Sequence, residues 1–175
     1  MKPMRDAIFP MPEEELVAIS RAATAFREQW ARVANAPWQA AFDFTLRDVE
    51  TIDYMEYEGL KFPECGSDGA VLIVSEVVRR TGKLQWFMSY RGEWILADPD
   101  NYGRIAVAPR ARFHEYECGR RSQFDNYLSL MAELALECAW AKHGEGLLAL
   151  FPQGSEYFEL LQKKLDHIRR RGVSK

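Results

Sequence analysis

The chain has 175 residues, of which 47% are hydrophobic, 13% aromatic and 28% charged, and its formal net charge is -3. This length and composition predict a single folded domain over residues 1–175 and exclude an intrinsically disordered chain. The mild acidic balance excludes the basic surface by which proteins bind nucleic acid, and no nucleic-acid partner is expected.

The first predicted helix begins at Pro12 and ends before Pro37. Proline fits the first turn of a helix, and three glutamates follow it where acids meet the positive end of the helix dipole. Pro37 ends the pattern because the residue before a proline is disfavoured in the helical conformation. The apolar stripe of this helix, at steps of three and four residues, consists of Ile19, Ala23, Phe26, Trp30 and Val33.

The next two segments are also assigned to helices. Thr45, followed at three residues by Asp48, predicts a capping box, and Gly59 fits the left-handed position that ends a helix. Residues 70–81 leave two structures open, because their β-branched residues favour a strand while Glu76 and Arg80 form a helical i,i+4 pair. We favour a buried helix, since the segment is long and has capping residues at both ends.

The middle of the chain predicts antiparallel strands over residues 84–90, 93–97, 104–109 and 111–117, which are short, aromatic and β-branched runs. Arg91 and Gly92 predict a tight hairpin between the first two strands, and residues 98–103 a longer turn between the next two. These short connections leave no room for parallel crossovers.

Two more helices are predicted after the strands, one capped by Ser122 and one that follows Ser155. The first of them carries apolar residues at helical spacing, from Phe124 to Cys138. Because helices and strands are segregated along the chain, the predicted fold class is α+β. It consists of an antiparallel meander of about four strands flanked by N-terminal and C-terminal helices.

The three cysteines, Cys65, Cys118 and Cys138, form no C-x-x-C pair. An odd number without paired spacing argues against a disulfide framework and indicates a reducing compartment. The sequence has no apolar stretch of the roughly 20 residues that a membrane-spanning helix needs, and its N-terminal residues do not resemble a signal peptide. We therefore expect a cytoplasmic protein with no membrane partner.

Cys65 is the sharpest candidate for catalysis, because a thiolate just before a helix is stabilised by the helix dipole and by backbone N–H groups. His114, on the last predicted strand, supplies a base. The order of cysteine at a helix start and histidine on a sheet is similar to that of papain-like and NlpC/P60-type hydrolases. Those families have a Cys-Ser-Gly or a second motif cysteine, whereas this loop reads Cys65-Gly66-Ser67-Asp68. A cysteine-dependent hydrolase is therefore the alternative function.

The sequence shows no group of residues with the spacing of a metal site or of a catalytic carboxylate pair. His114 and Cys118 share one face of a predicted strand, but zinc requires three or four converging ligands, so neither a metal nor a cofactor is expected. Asp98 and Asp100 are explained by turn chemistry, since aspartate side chains bond to nearby backbone.

The aromatic residues concentrate around the hairpin between Trp86 and Trp94. A sheet that buries one face uses alternate positions, so some of these aromatics are expected to be exposed or covered by a helix. Tyr, Trp and Arg side chains often dominate binding energy at protein interfaces. We therefore expect Tyr90, Arg91 and Trp94 to contact a partner protein. The competing interpretation of Trp94 is core packing beside Leu96.

Single positions between Asp68 and Leu136 carry a resemblance to a known group. They are Gly69, Glu76-Val77, Gly82, Trp86, Tyr102-Gly103 and Pro109, followed by an amphipathic helix. This stretch resembles small uncharacterised bacterial α+β domains, some of which are immunity proteins that bind and neutralise a toxin. The resemblance assigns no functional residue. The lack of a catalytic constellation and the aromatic residues of the hairpin predict a non-enzymatic protein-binding module, for which the resemblance suggests an immunity or adaptor protein of a bacterium.

Overall fold

Helices form most of the computed structural model, which describes residues 8–33, 44–59, 66–101, 105–117 and 126–172. The α-helices are α1 (Glu13–Val33), α2 (Leu46–Tyr57), α3 (Gly66–Thr81), α4 (Pro109–Glu117), α5 (Tyr127–Glu137) and α6 (Glu156–Gly172). Two 3-10 helices, Cys138–Trp140 and Gly144–Leu150, lie between α5 and α6. Of the described α-helices, three precede and three follow the strand segment between residues 85 and 107, as predicted for an α+β fold with flanking helices.

The sheet has four antiparallel strands in the order β1 (Ile8–Pro10), β2 (Gln85–Ser89), β3 (Trp94–Ala97) and β4 (Ala106–Val107). Each strand pairs with the next one along the chain, which confirms the predicted meander. Trp86 pairs with Leu96, so the two side chains share the face that packs into the main hydrophobic core. Phe87 and Ile95 point the other way and form a second, smaller buried cluster.

The first helix begins as predicted, and the second both begins and ends as predicted. Helix α1 starts directly after Pro12 and buries Ile19, Ala23 and Phe26. In α2, the backbone N–H of Thr45 donates to Asp48 Oδ2 at 2.8 Å, and Gly59 follows the helix at φ +67°. The side chains of Trp30 and Val33, together with Pro37, lie outside the described residues.

Helix α3 lies at the centre of the core. Residues 70–81, for which the sequence left helix and strand open, form a helix, as we favoured. It packs against α1, α2, α4 and α5. Its β-branched residues Val71, Ile73, Val74, Val77 and Val78 are all buried. Residues 69–78 are buried on every side of the helix, so tertiary burial outweighs the weak helix propensity of valine and isoleucine here.

The strand predicted over residues 111–117 is wrong, because Pro109–Glu117 forms helix α4. Proline at the first helical position is a common helix start. Phe113 is buried and stacks on Tyr127 at 5.7 Å between ring centroids, which fixes α4 against α5. The fourth strand of the sheet is instead β1, whose residues Ile8–Pro10 precede every strand predicted from the sequence.

The C-terminal helices match the prediction apart from one cap. Asn126 is the N-cap of α5, and its side chain accepts a hydrogen bond from the backbone N–H of Ser129 at 2.9 Å. The predicted cap Ser122 and the predicted core residue Phe124 lie outside the described residues. Helix α6 follows Ser155 as predicted and buries Leu161 and Leu165.

Candidate functional site

The tip of the hairpin between β2 and β3 exposes Tyr90 and Arg91. Ser89 shapes this turn, because its hydroxyl accepts hydrogen bonds from the backbone N–H of Arg91 at 3.2 Å and of Glu93 at 3.1 Å. Gly92 has φ +79° and completes the turn. The side chain of Tyr90 is 56% exposed, and its hydroxyl accepts a hydrogen bond from Arg91 Nε at 2.8 Å. Two of the three predicted contact residues, Tyr90 and Arg91, therefore present one connected polar and aromatic tip.

Trp94 lies at the base of this tip and is half-buried. It shares the inward face of the sheet with Trp86, and the two rings meet edge to face at 6.2 Å between centroids. The guanidinium of Arg110 lies over its ring at 4.6 Å. Trp94 thus packs against the core and carries a cation on its ring, while Tyr90 and Arg91 point into solvent.

Of the two residues of the hydrolase alternative, only His114 lies within the described part of the chain. Cys65 is outside the described residues. His114 is exposed on helix α4, where the sequence predicted a strand of the sheet. The histidine therefore does not lie on the sheet, where the hydrolase arrangement would place it. Cys118, the third residue considered there, also lies outside the described residues.

Two aspartates of the turn between β3 and β4 form contacts within the turn and with a later segment of the chain. Asp98 is buried and accepts hydrogen bonds from the N–H of Asp100 at 2.9 Å and of Lys142 at 2.8 Å. Asp100 is exposed and pairs with Lys142 Nζ at 2.8 Å. Asp98 thus bonds to nearby backbone, as the turn interpretation expects, whereas Asp100 pairs with a side chain of the segment after α5.

A second surface, on α2, combines exposed tyrosines with acids. Between positions 48 and 58 the chain carries five acidic residues and neither lysine nor arginine. Five residues of this stretch line a shallow depression of about 620 Å³ and are called here the acidic tyrosine face: Glu50, Asp53, Tyr54, Glu56 and Tyr57. The opposite side of the helix buries Val49, Ile52 and Met55, so the helix is oriented with its tyrosines outward.

Tyr57 is the most exposed large hydrophobic residue in the described part of the chain, at 86%. Tyr54, three residues earlier, is 45% exposed. Exposed single apolar residues are common on protein surfaces, but aromatic residues are enriched where a surface meets a partner. Two tyrosines on one helix face therefore distinguish this surface from the rest of the helix exteriors.

Asp53 joins the acidic tyrosine face to α5. Its carboxylate accepts hydrogen bonds from the backbone N–H of Tyr127 at 2.6 Å and of Leu128 at 2.9 Å. These N–H groups lie in the first turn of α5, where a helix has no internal acceptors for them. Burial raises the pKa of Asp53, although these two hydrogen bonds oppose the rise, and the charge of Glu50 adds to it.

Glu56 completes the negative field of the face. Burial raises its pKa, and the charge of Asp53 raises it further. Negative groups that raise the pKa of one another would be stabilised by a cation placed beside them. The face is therefore electrostatically suited to a positively charged surface.

The sequence contained a signal for this face, because Tyr54 and Tyr57 are three residues apart in a stretch, residues 48–58, whose charged residues are all acidic. The helical prediction alone did not show which of its sides faces solvent. The contact between Asp53 and α5 spans 74 residues and has no local signal.

No helix within the described ranges combines the length and apolar character needed to cross a bilayer. In the same ranges, no group of three His, Cys, Asp or Glu side chains is placed to hold a metal ion. Comparison of the chain with protein-family models, curated proteins and solved structures finds no match. The assignment of a function therefore rests on the surfaces and contacts of the molecule itself.

Proposed function

We propose that this chain is a non-enzymatic protein-binding module that docks a basic partner protein through the acidic tyrosine face of α2. The observation that carries the proposal is the 86% exposure of Tyr57 among carboxylates on a helix that is anchored on its other side. The face is held in position by the Asp53 contact with α5. A partner would therefore meet a preformed surface.

The tyrosines supply the binding energy in this proposal. A tyrosine offers a large amphipathic area with only two side-chain torsions to immobilise, so little entropy is lost when it is buried at an interface. Truncating such an anchor typically costs about 2 kcal/mol or more of binding free energy. Tyr57 is the expected main anchor, and Tyr54 adds contact area beside it.

The carboxylates select the partner. Complementary charge accelerates association and excludes partners with like charge, and its effect weakens as salt screens it. Enzymes that act on nucleic acids carry basic surfaces. An acidic tyrosine face is the surface expected of an immunity protein that covers such a toxin, or of an adaptor for another basic protein. A cytoplasmic location is part of the same proposal, on the grounds of cysteine usage.

The hairpin tip is a second proposed contact. Tyr90 and Arg91 are exposed, and their mutual hydrogen bond pre-orders two side chains of the kinds enriched at interfaces. Trp94, which is half-buried, is assigned the supporting role of holding the base of this tip against the core.

Capture of the partner from a lysate of the source organism tests the proposal. The baits are the wild-type chain, Glu56→Lys on the face, and Glu28→Lys, which makes the same charge change at an exposed site on α1. We expect a basic protein that wild type and Glu28→Lys retain equally, that Glu56→Lys retains at least tenfold less, and that 300 mM salt releases. The protein encoded by an adjacent gene is the first candidate to examine. If no captured protein distinguishes the two charge variants, the proposal is wrong.

A further inference from the structure

A cleft of about 460 Å³ lies between α1, the second half of α3 and the first two strands of the sheet. Its size falls within the roughly 300–1,000 Å³ of small-molecule sites. Leu16, Ile19 and Ala23 of α1 form one apolar wall, and Met11 and Trp86 continue it. The cleft shares no described residue with the acidic tyrosine face, so it lies outside the proposed protein-docking surface.

One end of the cleft is charged. Glu76 is only 6% exposed and accepts hydrogen bonds from Arg79 Nε and Trp86 Nε1 at 2.7 Å each. Arg79 Nη2 donates to the same carboxylate at 3.0 Å, and Arg80 Nε at 3.2 Å. Burial favours the neutral acid, but these hydrogen bonds and the charge of Arg79 outweigh it and hold the pKa of Glu76 below its ordinary value. One carboxylate between two guanidinium groups leaves one positive charge in the cleft.

Arg80 carries that charge at the cleft surface. Its side chain is 50% exposed, and its guanidinium lies over the ring of Phe44 at 3.9 Å from the centroid. Contacts with Glu76 and Phe44 therefore orient the group from two sides. Its Nη1 and Nη2 atoms donate to no residue in the described ranges. A planar guanidinium held in this way keeps two parallel donors for an anion, and Arg80 lines the cleft.

We propose that this cleft binds a small carboxylic acid with an apolar body. The carboxylate of the ligand accepts hydrogen bonds from the two terminal nitrogens of Arg80, a pairing that is shorter and stronger than one between neutral groups. The apolar body lies along Leu16, Ile19 and Trp86. The apolar surface of both partners is removed from water in the complex.

The charge of the site selects a monoanion. A single excess positive charge balances one carboxylate, whereas a phosphate dianion would bring a second negative charge close to Glu76. A cation would be repelled by the guanidinium groups, and a neutral alcohol would leave the donors of Arg80 without a charged acceptor. A small anion such as acetate would leave the apolar wall unfilled. The site thus requires both the charge and the apolar body.

Isothermal titration of the full chain with four probes tests this inference: octanoate, 1-octanol, octylammonium and acetate. We expect saturable 1:1 binding of octanoate, with each of the other three at least about tenfold weaker, because a hydrogen bond to a charged group contributes about tenfold or more in affinity. Arg80→Gln should lose affinity for octanoate by at least the same factor. Arg171→Gln, which removes an exposed arginine at the end of α6, should bind octanoate as wild type does.

The inference is overturned if octanoate shows no saturable binding, if octanol binds as tightly, or if Arg80→Gln leaves the octanoate affinity unchanged. If Arg80→Gln fails to fold, the comparison of the four probes on the wild-type chain still tests the inference. Leu16→Asn then gives a second variant, because Leu16 is 42% exposed and its replacement removes apolar wall without disturbing the core. It should weaken octanoate severalfold and leave acetate unchanged, and equal octanoate affinity in Leu16→Asn would contradict the placement of the apolar body.

Discussion

Removal of the Asp53 carboxylate should destabilise the protein without involving any partner. Asp53→Ala deprives the N–H groups of Tyr127 and Leu128 of their acceptors in the first turn of α5. Loss of one N-cap acceptor costs about 0.5–2 kcal/mol. Two N–H groups lose their acceptor here, but the cost of burying the carboxylate offsets part of the stability that its hydrogen bonds provide. We therefore expect the free energy of unfolding to fall by about 2 kcal/mol. For a chain of this size that corresponds to roughly 4–8 °C in Tm.

Urea unfolding followed by circular dichroism measures this loss. Glu50→Ala is the matched control, because Glu50 is exposed on the same helix and its replacement should change the stability by less than about 0.5 kcal/mol. Because the folded pKa of Asp53 is raised, its contribution is greatest below its unfolded pKa of about 3.9 and decreases as pH rises through the folded pKa. Equal stabilities of Asp53→Ala and Glu50→Ala at every pH would refute the role of Asp53 as the acceptor for the first two N–H groups of α5.

Three further predictions concern the core. Gly69→Ala should destabilise by about 1–2 kcal/mol in urea unfolding, because a Cβ there would lie 2.3 Å from Cδ2 of the buried Phe26 ring. Gly172→Ala is the control, because a Cβ there would meet no atom within 4 Å from any other described part of the chain. Equal effects would contradict the close approach of α1 and α3. Trp94→Ala should lower the stability by about 2–3 kcal/mol as a half-buried aromatic, and an unchanged Tm would place its ring in solvent instead. Burial raises the pKa of the Cys138 thiol to about 12, so iodoacetamide at pH 8 should modify it only after urea is added, as followed by mass spectrometry. Its alkylation in the native protein would contradict this burial.

Local signals determined which helices could be predicted from the sequence. Pro12 and the stripe through Phe26 define α1 by capping and spacing that depend only on neighbouring residues. Thr45, Asp48 and Gly59 define α2 in the same way, and all three adopt the predicted positions. The antiparallel pairing of β2 with β3 could also be predicted, since two strands joined by a short turn pair with each other.

Long-range contacts account for the errors. Residues 109–117 form a helix because Phe113 packs on Tyr127, which a local reading of an aromatic run does not reveal. Strand β1 has three residues and ends in Pro10, so it is too short for a periodic pattern and exists through its pairing with β2. The acidic tyrosine face depends in the same way on Asp53 reaching α5 from a distant part of the chain. Such contacts have no expression in neighbouring sequence.

The affinity of Tyr57→Ala for the captured basic protein is the most direct test of the proposed docking face. Isothermal titration of purified partner into wild type and Tyr57→Ala, with Tm measured for both, separates binding from folding. We expect the Kd of the variant to rise about 30-fold, which corresponds to the loss of a 2 kcal/mol anchor, while Tm stays unchanged because the side chain is exposed. A Kd within twofold of wild type would show that the partner does not contact the acidic tyrosine face.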